Sequence, residues 1–383
     1  MPSASSFVPL WNRADEWERR LAMIASARSF VYLSTFYIEY DAYAKELFSG
    51  LREAQRRGVA LNLLIDAFGQ RLGGVPMSSH QRAALAAELS ALRAGGAAVA
   101  SYRPPRLLQR WLGGGQHVKI QVSEAGEAVF GSSNISRSSF DGWNEYSVAV
   151  RGPVVRTLLE SYRQIGGSVE PTHLDQLPDE GIDAALQLQM EYWFCNPNPH
   201  QGRLGPLGWN GRNQVTDRLI DMLDAARTSI LVTSFYFKPV AGLMDAVLRA
   251  AARGVRVEVF HSHRDALPAT DLAWIAAAAN YDRLLAAGVV LNENIHGEHS
   301  KIVVIDGAWA AFGSYNFEDA AHDRLAEAML ASRDPRAVAP ALAIFDQLRD
   351  DADNVRVTAE SLARLPAGVK ARVSRYGRFK RWM

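Results

Sequence analysis

Two stretches of this chain share one spacing of polar residues. Residues 117–134 read HVKIQVSEAGEAVFGSSN, and residues 299–316 read HSKIVVIDGAWAAFGSYN. Each contains His-x-Lys, an acidic residue five positions after the lysine, and then Gly-Ser-x-Asn at the same intervals. A single His-x-Lys on a strand is usually surface decoration, whereas two copies with matched spacing indicate a paired function. The repeat therefore predicts a duplicated fold.

The segments around the two motifs repeat as well. Residues 27–37 and 226–236 both begin with Ala-Arg, continue with an apolar β-branched run and end with Phe-Tyr, which is typical of buried strands. An amphipathic helical pattern follows each strand and stops at Gly58 or Gly254, where glycine suits a left-handed C-cap. A second strand, an Ala-rich helix and the polar motif then follow in both halves. This alternation predicts an α/β fold, with a sheet that carries helices on its faces.

The repeat also sets the expected domain boundaries. We expect a first half at residues 15–190 and a second half at residues 214–352. Residues 191–213 are expected to be a linker, because most of this stretch is rich in Pro, Gly and Asn and has no helix or strand period. Residues 353–383 form a separate basic C-terminal segment.

Composition narrows the class of protein. The 383 residues are 48% hydrophobic and 22% charged, which is typical of a globular protein. A net charge of +1 argues against a dedicated nucleic-acid binder. Cys195 is the only cysteine, so a disulfide framework and a Cys-based zinc site are excluded. The chain shows no signal-peptide pattern and no uninterrupted run of 18 apolar residues, so the sequence predicts an unsecreted protein that does not span a membrane.

The two motifs supply the groups for displacement at phosphorus. His117 and Lys119 are two positions apart on a predicted strand and should project from one face, and His299 and Lys301 repeat this arrangement. Lysine and asparagine suit phosphate oxygens, while histidine acts as nucleophile or as general acid and base near neutral pH. A covalent route needs one group that attacks and another that transfers protons to and from the two alcohols. This requirement explains the two copies.

Further residues of the two copies have expected supporting roles. Glu145 and Glu327 each lie 28 residues after the histidine of their own copy, and a carboxylate on the far ring nitrogen would fix the histidine tautomer. Gly131 and Gly313 are expected to let the backbone approach a ligand closely. No His, Asp or Glu grouping has convincing metal-ligand spacing, so we expect neither a metal nor a cofactor.

The double motif resembles the signature of the phospholipase D superfamily, two copies of His-x-Lys-x4-Asp-x6-Gly-Ser with a nearby Asn. The second copy matches in full, and the first has Glu124 at the acid position. The resemblance covers roughly residues 15–350. It implies two α/β/α sandwich halves with pseudo-twofold symmetry and one active site at their interface. It also implies that His117 is the nucleophile and His299 the general acid.

The resemblance assigns the other motif residues as well. The residues that it implies for phosphate binding and for orienting the histidines are Lys119, Lys301, Asn134, Asn316, Glu145 and Glu327. The residues that it implies for support are Glu124, Asp306, Ser132, Ser314, Gly131 and Gly313.

Within the superfamily the layout looks most like the bacterial cardiolipin synthases. The stretches STFYIEYD, SFYF and YRPPRLLQRWLGGG carry this resemblance. It implies transfer of a phosphatidyl group from a phospholipid to an alcohol through a phosphohistidine intermediate, without a cofactor. A phospholipase D hydrolase, a nucleic-acid phosphodiesterase and a lipid-binding module with a damaged site are the alternatives. Nucleic acid is the less expected partner, and the acceptor alcohol and the oligomeric state stay open.

Two basic and aromatic segments are candidate membrane contacts. Such segments suit an anionic lipid surface, although the C-terminal one also fits a solvated basic tail. We expect a peripheral protein at the cytoplasmic face of a bacterial cell membrane. The candidate contact residues are Arg106, Arg110, Trp111, Arg378, Lys380, Arg381 and Trp382.

Overall fold

The computed structural model describes residues 2–178, 187–200, 212–267, 270–377 and 379. Within these residues the chain forms two α/β halves, each built on one mixed β-sheet. The strands up to residue 151 are β1 (Ser3–Ala4), β2 (Ser6–Leu10), β3 (Phe30–Thr35), β4 (Ala60–Asp66), β5 (Ala98–Tyr102), β6 (Gly115–Gln116), β7 (Lys119–Ser123), β8 (Glu127–Gly131) and β9 (Ser147–Arg151). The later strands are β10 (Leu188–Gln189), β11 (Glu191–Cys195), β12 (Ser229–Ser234), β13 (Phe237–Lys238), β14 (Arg256–Ser262), β15 (Val290–Asn294), β16 (Ile302–Ile305), β17 (Trp309–Gly313), β18 (Phe317–Glu318), β19 (Leu325–Ser332) and β20 (Asn354–Arg356).

Helices connect and cover these strands. The helices up to residue 175 are α1 (Arg13–Ser26), α2 (Ala42–Arg56), α3 (Ala67–Gly73), α4 (Ser79–Ala94), α5 (Leu107–Trp111), α6 (Pro153–Gln164) and α7 (Pro171–Asp175). The later helices are α8 (Pro197–His200), α9 (Gln214–Ala225), α10 (Ala241–Ala252), α11 (Leu272–Ala278), α12 (Tyr281–Ala286), α13 (Asp319–Asp323), α14 (Pro335–Asp350), α15 (Ala359–Ala363) and α16 (Ala367–Tyr376). A π-helical turn spans Ser138–Gly142, and a 3-10 turn spans Arg264–Ala266.

The order of strands shows the duplication directly. The first sheet has the order β2-β9-β8-β7-β3-β4-β5, and the second has the order β11-β19-β17-β16-β12-β14-β15-β20. In each sheet the first strand of the repeat pairs in parallel with the next strand on one side and antiparallel with the motif strand on the other. The duplicated α/β fold is therefore confirmed.

Apolar side chains fill the space on both faces of each sheet. Along β3 the side chains alternate, so that Val31 and Leu33 pack under α1, α2 and α4 while Phe30 and Tyr32 face the other way. That second face joins a central core in which α6 and α14 lie between the two sheets. Helices α9 to α12 cover the outer face of the second sheet. Each sheet thus lies between helical layers, and both strands and helices are held by burial of apolar surface.

Two of the expected boundaries need correction. Residues 191–195 were expected to belong to the linker, but they form β11, an edge strand antiparallel to β19. In the same way β2 lies before residue 15 and pairs with β9. Each half therefore begins with an edge strand that precedes its first long helix, a short element with little sequence period of its own. Residues 201–211 of the expected linker lie outside the described residues.

The described part of the C-terminal segment folds onto the second half. Strand β20 pairs with β15, and Val369 and Val373 of α16 pack against the outer core of that half. The guanidinium of Arg372 donates to both carboxylate oxygens of Asp271, at 2.6 and 2.8 Å. This part is therefore a docked helix and not a solvated tail. Four of the candidate membrane contacts lie outside the described residues, namely Arg378, Lys380, Arg381 and Trp382.

Within the described residues, none of the helices is both long and apolar enough to cross a bilayer.

Candidate active site

The two histidines lie where the halves meet. His117 follows the short strand β6, which pairs with β19 of the second half. The backbone N–H of His117 donates to the carbonyl of Ala326 at 2.8 Å, and the N–H of His299 donates to the carbonyl of Asn144 at 2.8 Å. Both histidines precede their strands, because β7 begins at Lys119 and β16 at Ile302. The expected placement of both histidines on a strand is wrong, since each is held instead by the backbone of the other half.

Each glutamate contacts the histidine of the opposite copy. Nδ1 of His117 lies 3.1 Å from Oε1 of Glu327 and also donates to the carbonyl of Ser314 at 3.0 Å. Nδ1 of His299 lies 2.8 Å from Oε2 of Glu145. Equal spacing within each copy did not indicate this exchange. With Nδ1 engaged in both rings, Nε2 is the nitrogen left for chemistry.

The Gly-Ser pairs hold the two glutamates. The hydroxyl of Ser314 donates to Glu327 and accepts the N–H of Ala328 at 3.1 Å, and Ser132 binds Glu145 in the same way. A Cβ at Gly313 would lie 2.3 Å from the carbonyl oxygen of Ala328.

Glycine is needed at position 313, because any side chain there would keep β17 from pairing closely with β19. A Cβ at Gly131 would likewise lie 2.4 Å from the carbonyl oxygen of Tyr146. The expected role of both glycines, close approach to a ligand, is replaced by this packing role.

The two lysines are buried beside the histidines. Nζ of Lys119 donates to the carbonyl of His117 at 2.7 Å, and Nζ of Lys301 donates to the carbonyl of His299. Burial lowers the pKa of Lys119 well below its usual range and that of Lys301 to about 8. Such partly desolvated ammonium groups gain from an incoming anion.

The electrostatic settings of the two pairs differ. Burial would raise the pKa of Glu145, but the nearby His299 and Lys301 bring it down to about 2. Burial instead raises the pKa of Glu327 well above its usual range. Burial lowers the pKa of His299 to about 4 although Glu145 opposes this shift, and burial together with the two lysines holds the pKa of His117 well below its usual range. Of the two glutamates, Glu145 is thus the one that favours the ionised form, and it lies beside His299.

Asn134 and Asn316 line the same cavity as the histidines. Oδ1 of Asn134 accepts the hydroxyl of Thr35 at 3.4 Å, and Oδ1 of Asn316 accepts the N–H of Phe235 at 3.3 Å. Fixing the amide oxygens in this way directs the amide nitrogens elsewhere. Amide N–H groups at such positions can donate to phosphate oxygens.

The cavity has a volume of about 410 Å³. Its aromatic walls include Phe36 and Phe235, which contact the edges or faces of His117 and His299 with centroids 4.8 and 4.6 Å apart. Trp143 stacks on His299 at 4.9 Å. These aromatic residues lie outside the repeated motifs and were not predicted as site residues, although the Phe-Tyr pair repeated after each first strand indicated Phe36 and Phe235.

The acid of each motif lies at the far end of its strand. Both oxygens of Glu124 accept backbone N–H groups, from Arg28 at 2.7 Å and Phe30 at 3.2 Å. Asp306 accepts N–H groups of residues 227–229 at distances from 2.7 to 3.2 Å. These carboxylates fix the start of β3 and β12. The longer Glu124 side chain makes the same kind of contact as Asp306.

Several exposed apolar side chains lie close in sequence to residues that line the cavity, such as Leu112. Trp111 is 73% exposed and Leu107 is 66% exposed. Arg106 is exposed, while Nε of Arg110 donates to the carbonyl of Pro104 at 2.7 Å. Exposed apolar residues that line the cavity or lie within five positions of a lining residue include Leu72, Val75, Leu107, Leu108, Trp111 and Leu272.

The described residues contain no group of three or more His, Cys, Asp and Glu side chains that could hold a metal ion. Two repeated halves bring two His and two Asn residues into one cavity, with a buried lysine beside each histidine. This arrangement defines a duplicated α/β protein with a two-histidine site. A family model described as cardiolipin synthase, PLD-like domain, matches residues 21–165 and 219–349. These segments cover more than half of the chain. The chain belongs to this family, and the resemblance to the phospholipase D superfamily is confirmed.

Individual relatives and structures agree with the family match. The chain is 27% identical over 332 residues to cardiolipin synthase of Geobacillus kaustophilus, covering 82% of this chain and 60% of that protein. It is 27% identical over 309 residues to cardiolipin synthase B of Salmonella typhi, covering 77% of this chain and 68% of that protein. The chain therefore spans well under the full length of these relatives.

One solved structure aligns with this chain over nearly the full length of both proteins. The crystal structure of phosphatidylserine synthase from Haemophilus influenzae has a TM-score of 0.74 and 13% identity, and covers 100% of this chain and 97% of that one. Similarity at this identity supports the fold alone.

Proposed function

We propose that the protein is a phosphatidyltransferase of the cardiolipin synthase type, which moves a phosphatidyl group from a phospholipid to an alcohol. One observation carries the proposal: two histidines, each bound at Nδ1 to a glutamate of the other half, line one cavity with two Asn residues. The two buried lysines bind the backbone of these histidines. The family membership and the similarity to cardiolipin synthases support a phospholipid as the donor.

The first step forms a phosphohistidine. Nε2 of His117 attacks phosphorus while the bond from phosphorus to the leaving alcohol oxygen breaks. Nε2 of His299 gives its proton to that oxygen, so that the alcohol leaves neutral. The charge on the phosphate oxygens is stabilised by the ammonium groups of Lys119 and Lys301, which are buried beside the histidines.

The second step restores the enzyme. The acceptor hydroxyl gives its proton to Nε2 of His299 as its oxygen attacks phosphorus, and the bond from phosphorus to Nε2 of His117 breaks. His299 is then protonated again and His117 is neutral, as at the start. Water in place of the alcohol would give hydrolysis by the same steps.

The assignment of roles rests on the unequal histidine pairs. His299 has the shorter contact, 2.8 Å, to the glutamate with the lowered pKa, and this arrangement favours a proton on His299 over a proton on His117. Nδ1 of His117 shares its hydrogen between the carbonyl of Ser314 and Glu327, which favours the neutral ring with a free Nε2 lone pair. Entry of an anionic phosphodiester adds negative charge and raises the pKa of both histidines.

The proposal includes a membrane-facing cavity mouth. Exposed Trp111 and Leu107 of α5 suit the interfacial region of a bilayer, and exposed Arg106 suits anionic headgroups. A peripheral position at the cytoplasmic face of a bacterial membrane follows as part of the proposal. The bacterial origin of the two cardiolipin synthases described above supports it.

An assay of purified protein tests the proposal. Vesicles that contain phosphatidylglycerol and phosphatidylethanolamine are incubated with the protein, and lipid products are identified by mass spectrometry; single-stranded and duplex DNA are tested in parallel. We expect cardiolipin or another phosphatidyl alcohol from the vesicles, and no product with His117→Ala or His299→Ala. His80→Ala is the matched control, since His80 is exposed on α4. Cleavage of DNA without lipid turnover would contradict the proposal.

A further inference from the structure

The cavity departs from its pseudo-twofold symmetry at two carboxyl groups. Glu39 stands three positions after Phe36, where the second half has Lys238 three positions after Phe235. Glu318 stands two positions after Asn316, where the first half has Ser136 two positions after Asn134. The phosphate-binding residues are duplicated, so they cannot distinguish the headgroup from the diacylglycerol. Residues that differ between the halves can make this distinction.

Glu318 is a fixed carboxylate on one wall of the cavity. Nδ2 of Asn316 donates to Oε1 of Glu318 at 3.3 Å, and Nζ of the fully buried Lys238 lies 3.3 Å from Oε2. Residues Lys238 and Glu318 also face each other across the short pair of strands β13 and β18. Glu318 is 6% exposed, and it lines the cavity together with both histidines. Its negative charge is thus compensated, while its oxygens keep lone pairs for a further donor.

Glu39 lies at the corresponding strand pair of the other half. Its backbone N–H donates to the carbonyl of Ile135 at 2.9 Å, next to the bridge between Ile38 and Ile135. The side chain of Glu39 also lines the cavity. Burial raises the pKa of this carboxyl to about 7, and the nearby Asp41 adds to the shift. Near neutral pH the group is therefore both a hydrogen-bond acceptor and, in part, a donor.

We propose that Glu39 and Glu318 form the alcohol subsite of the cavity and select acceptors with more than one hydroxyl group. This inference rests on the proposed phosphatidyl transfer. In a double displacement the leaving alcohol and the acceptor use the same side of phosphorus, so one subsite serves both. A polyol can place its reacting hydroxyl at His299 and donate its remaining hydroxyls to the carboxylates. A simple alcohol lacks these additional hydrogen bonds.

The charges around the subsite favour hydroxyl groups over an ammonium group. Lys238 compensates Glu318, and Lys301 lies near enough for Glu318 to raise its pKa. A cationic acceptor would meet these ammonium groups, while a neutral polyol would not be repelled. Hydroxyl donors also satisfy buried carboxylate oxygens without a further charge.

A competition assay tests the subsite. A phospholipid donor is incubated with an equimolar mixture of glycerol, 1-propanol and ethanolamine, and the ratio of phosphatidyl products is measured by mass spectrometry. Because all acceptors compete for one phosphohistidine in one tube, the ratio does not depend on how much enzyme is folded. The variants are Glu39→Ala and Glu318→Gln, with Glu160→Ala as the control, since Glu160 is exposed on α6.

We expect the unmodified protein to prefer glycerol over 1-propanol by about tenfold, as one or two charge-assisted hydrogen bonds would give. The preference should fall severalfold in at least one of the two variants and stay unchanged in Glu160→Ala. An unmodified enzyme with equal use of glycerol and 1-propanol, a preference retained in both variants, or a preference for ethanolamine would overturn the subsite alone. Absence of any lipid product would overturn the proposed function and the subsite together.

Discussion

Nδ1 of His299 lies 2.8 Å from Oε2 of Glu145, which belongs to the other half of the chain. The second pair, His117 and Glu327, also crosses between the halves, at 3.1 Å. Neither half therefore contains a complete histidine–carboxylate pair. The shorter pair is the one in which the nearby His299 and Lys301 lower the pKa of the carboxyl, so the two pairs differ in chemistry as well as in length.

Glu145→Gln should shift the pH dependence of kcat. Because Glu145 raises the pKa of His299 against the effect of burial, its loss lowers that pKa further. The general acid then keeps its proton only at lower pH, and the alkaline limb of the kcat profile moves toward acid. We expect kcat near neutral pH to fall by about 10²- to 10⁴-fold, the usual contribution of proton transfer. The measurement is a pH–rate profile with a soluble phosphodiester.

Glu327→Gln is the matched variant for this comparison. Its carboxyl has a raised pKa, and His117 keeps the carbonyl of Ser314 as a partner, so the alkaline limb should move less. Equal shifts in both variants would contradict the assigned roles. A circular dichroism melt of each variant shows whether either glutamate is needed mainly for folding.

The phosphohistidine should form on His117. Rapid acid-free quenching during turnover, followed by peptide mass spectrometry, locates the phosphoryl group. The adduct should accumulate in Glu145→Gln if the second step, which needs His299 as the base, is slowed more than the first. An adduct on His299 would reverse the two roles while leaving the covalent route intact.

Glu124→Ala should reduce stability more than catalysis. The two hydrogen bonds from Arg28 and Phe30 to this carboxylate fix the start of β3, far from the cavity. Their loss should cost about 1–2 kcal/mol and lower the melting temperature, with kcat per folded molecule nearly kept. A large loss of kcat in a fully folded Glu124→Ala protein would show that this acid acts on the site. Asp306→Ala, the equivalent change in the second half, should behave alike.

The sequence predicted what depends on local pattern and missed what depends on contact between distant segments. Repeated strands, helices and motifs established the duplicated α/β fold and brought His117 and His299 into one site. Spacing could not show that Glu145 serves His299, since both glutamates have the same distance along the chain from a histidine. Glu39 and Glu318 break the repeat, so the positions that match between the two copies did not indicate them.

Gly313→Ala should damage both stability and activity. The new Cβ would lie 2.3 Å from the carbonyl oxygen of Ala328, so β17 and β19 must separate. Overpacking of this kind costs about 1–3 kcal/mol, and the separation pulls Ser314 and Glu327 away from His117. Gly368→Ala is the control, because a Cβ there meets nothing within 4 Å. Thermal melts and kcat of both variants test this prediction. Full activity in Gly313→Ala would disprove this role for the glycine.

Trp111→Ala combined with Leu107→Ala should weaken binding to lipid vesicles. These side chains of α5 are 73% and 66% exposed, and burial of each in the lipid interface would contribute about 1.5–3 kcal/mol. Vesicle sedimentation should show the loss at low and high salt alike, because apolar burial is not screened. Turnover of a short-chain, water-soluble substrate should change little. Unchanged sedimentation would show that α5 does not contact the membrane.

The basic C-terminal segment is best tested by neutralising its charges. Deletion would also remove the packing of Val369 and Val373 of α16 on the core of the second half. A variant with Arg378→Gln, Lys380→Gln and Arg381→Gln removes three positive charges, each worth about 1 kcal/mol at an anionic surface. Its binding to phosphatidylglycerol-rich vesicles should fall at low salt and converge with that of the unmodified protein at high salt, because salt screens the attraction between cationic side chains and an anionic surface. Equal affinity at low salt would assign membrane contact to Trp111 and its neighbours alone.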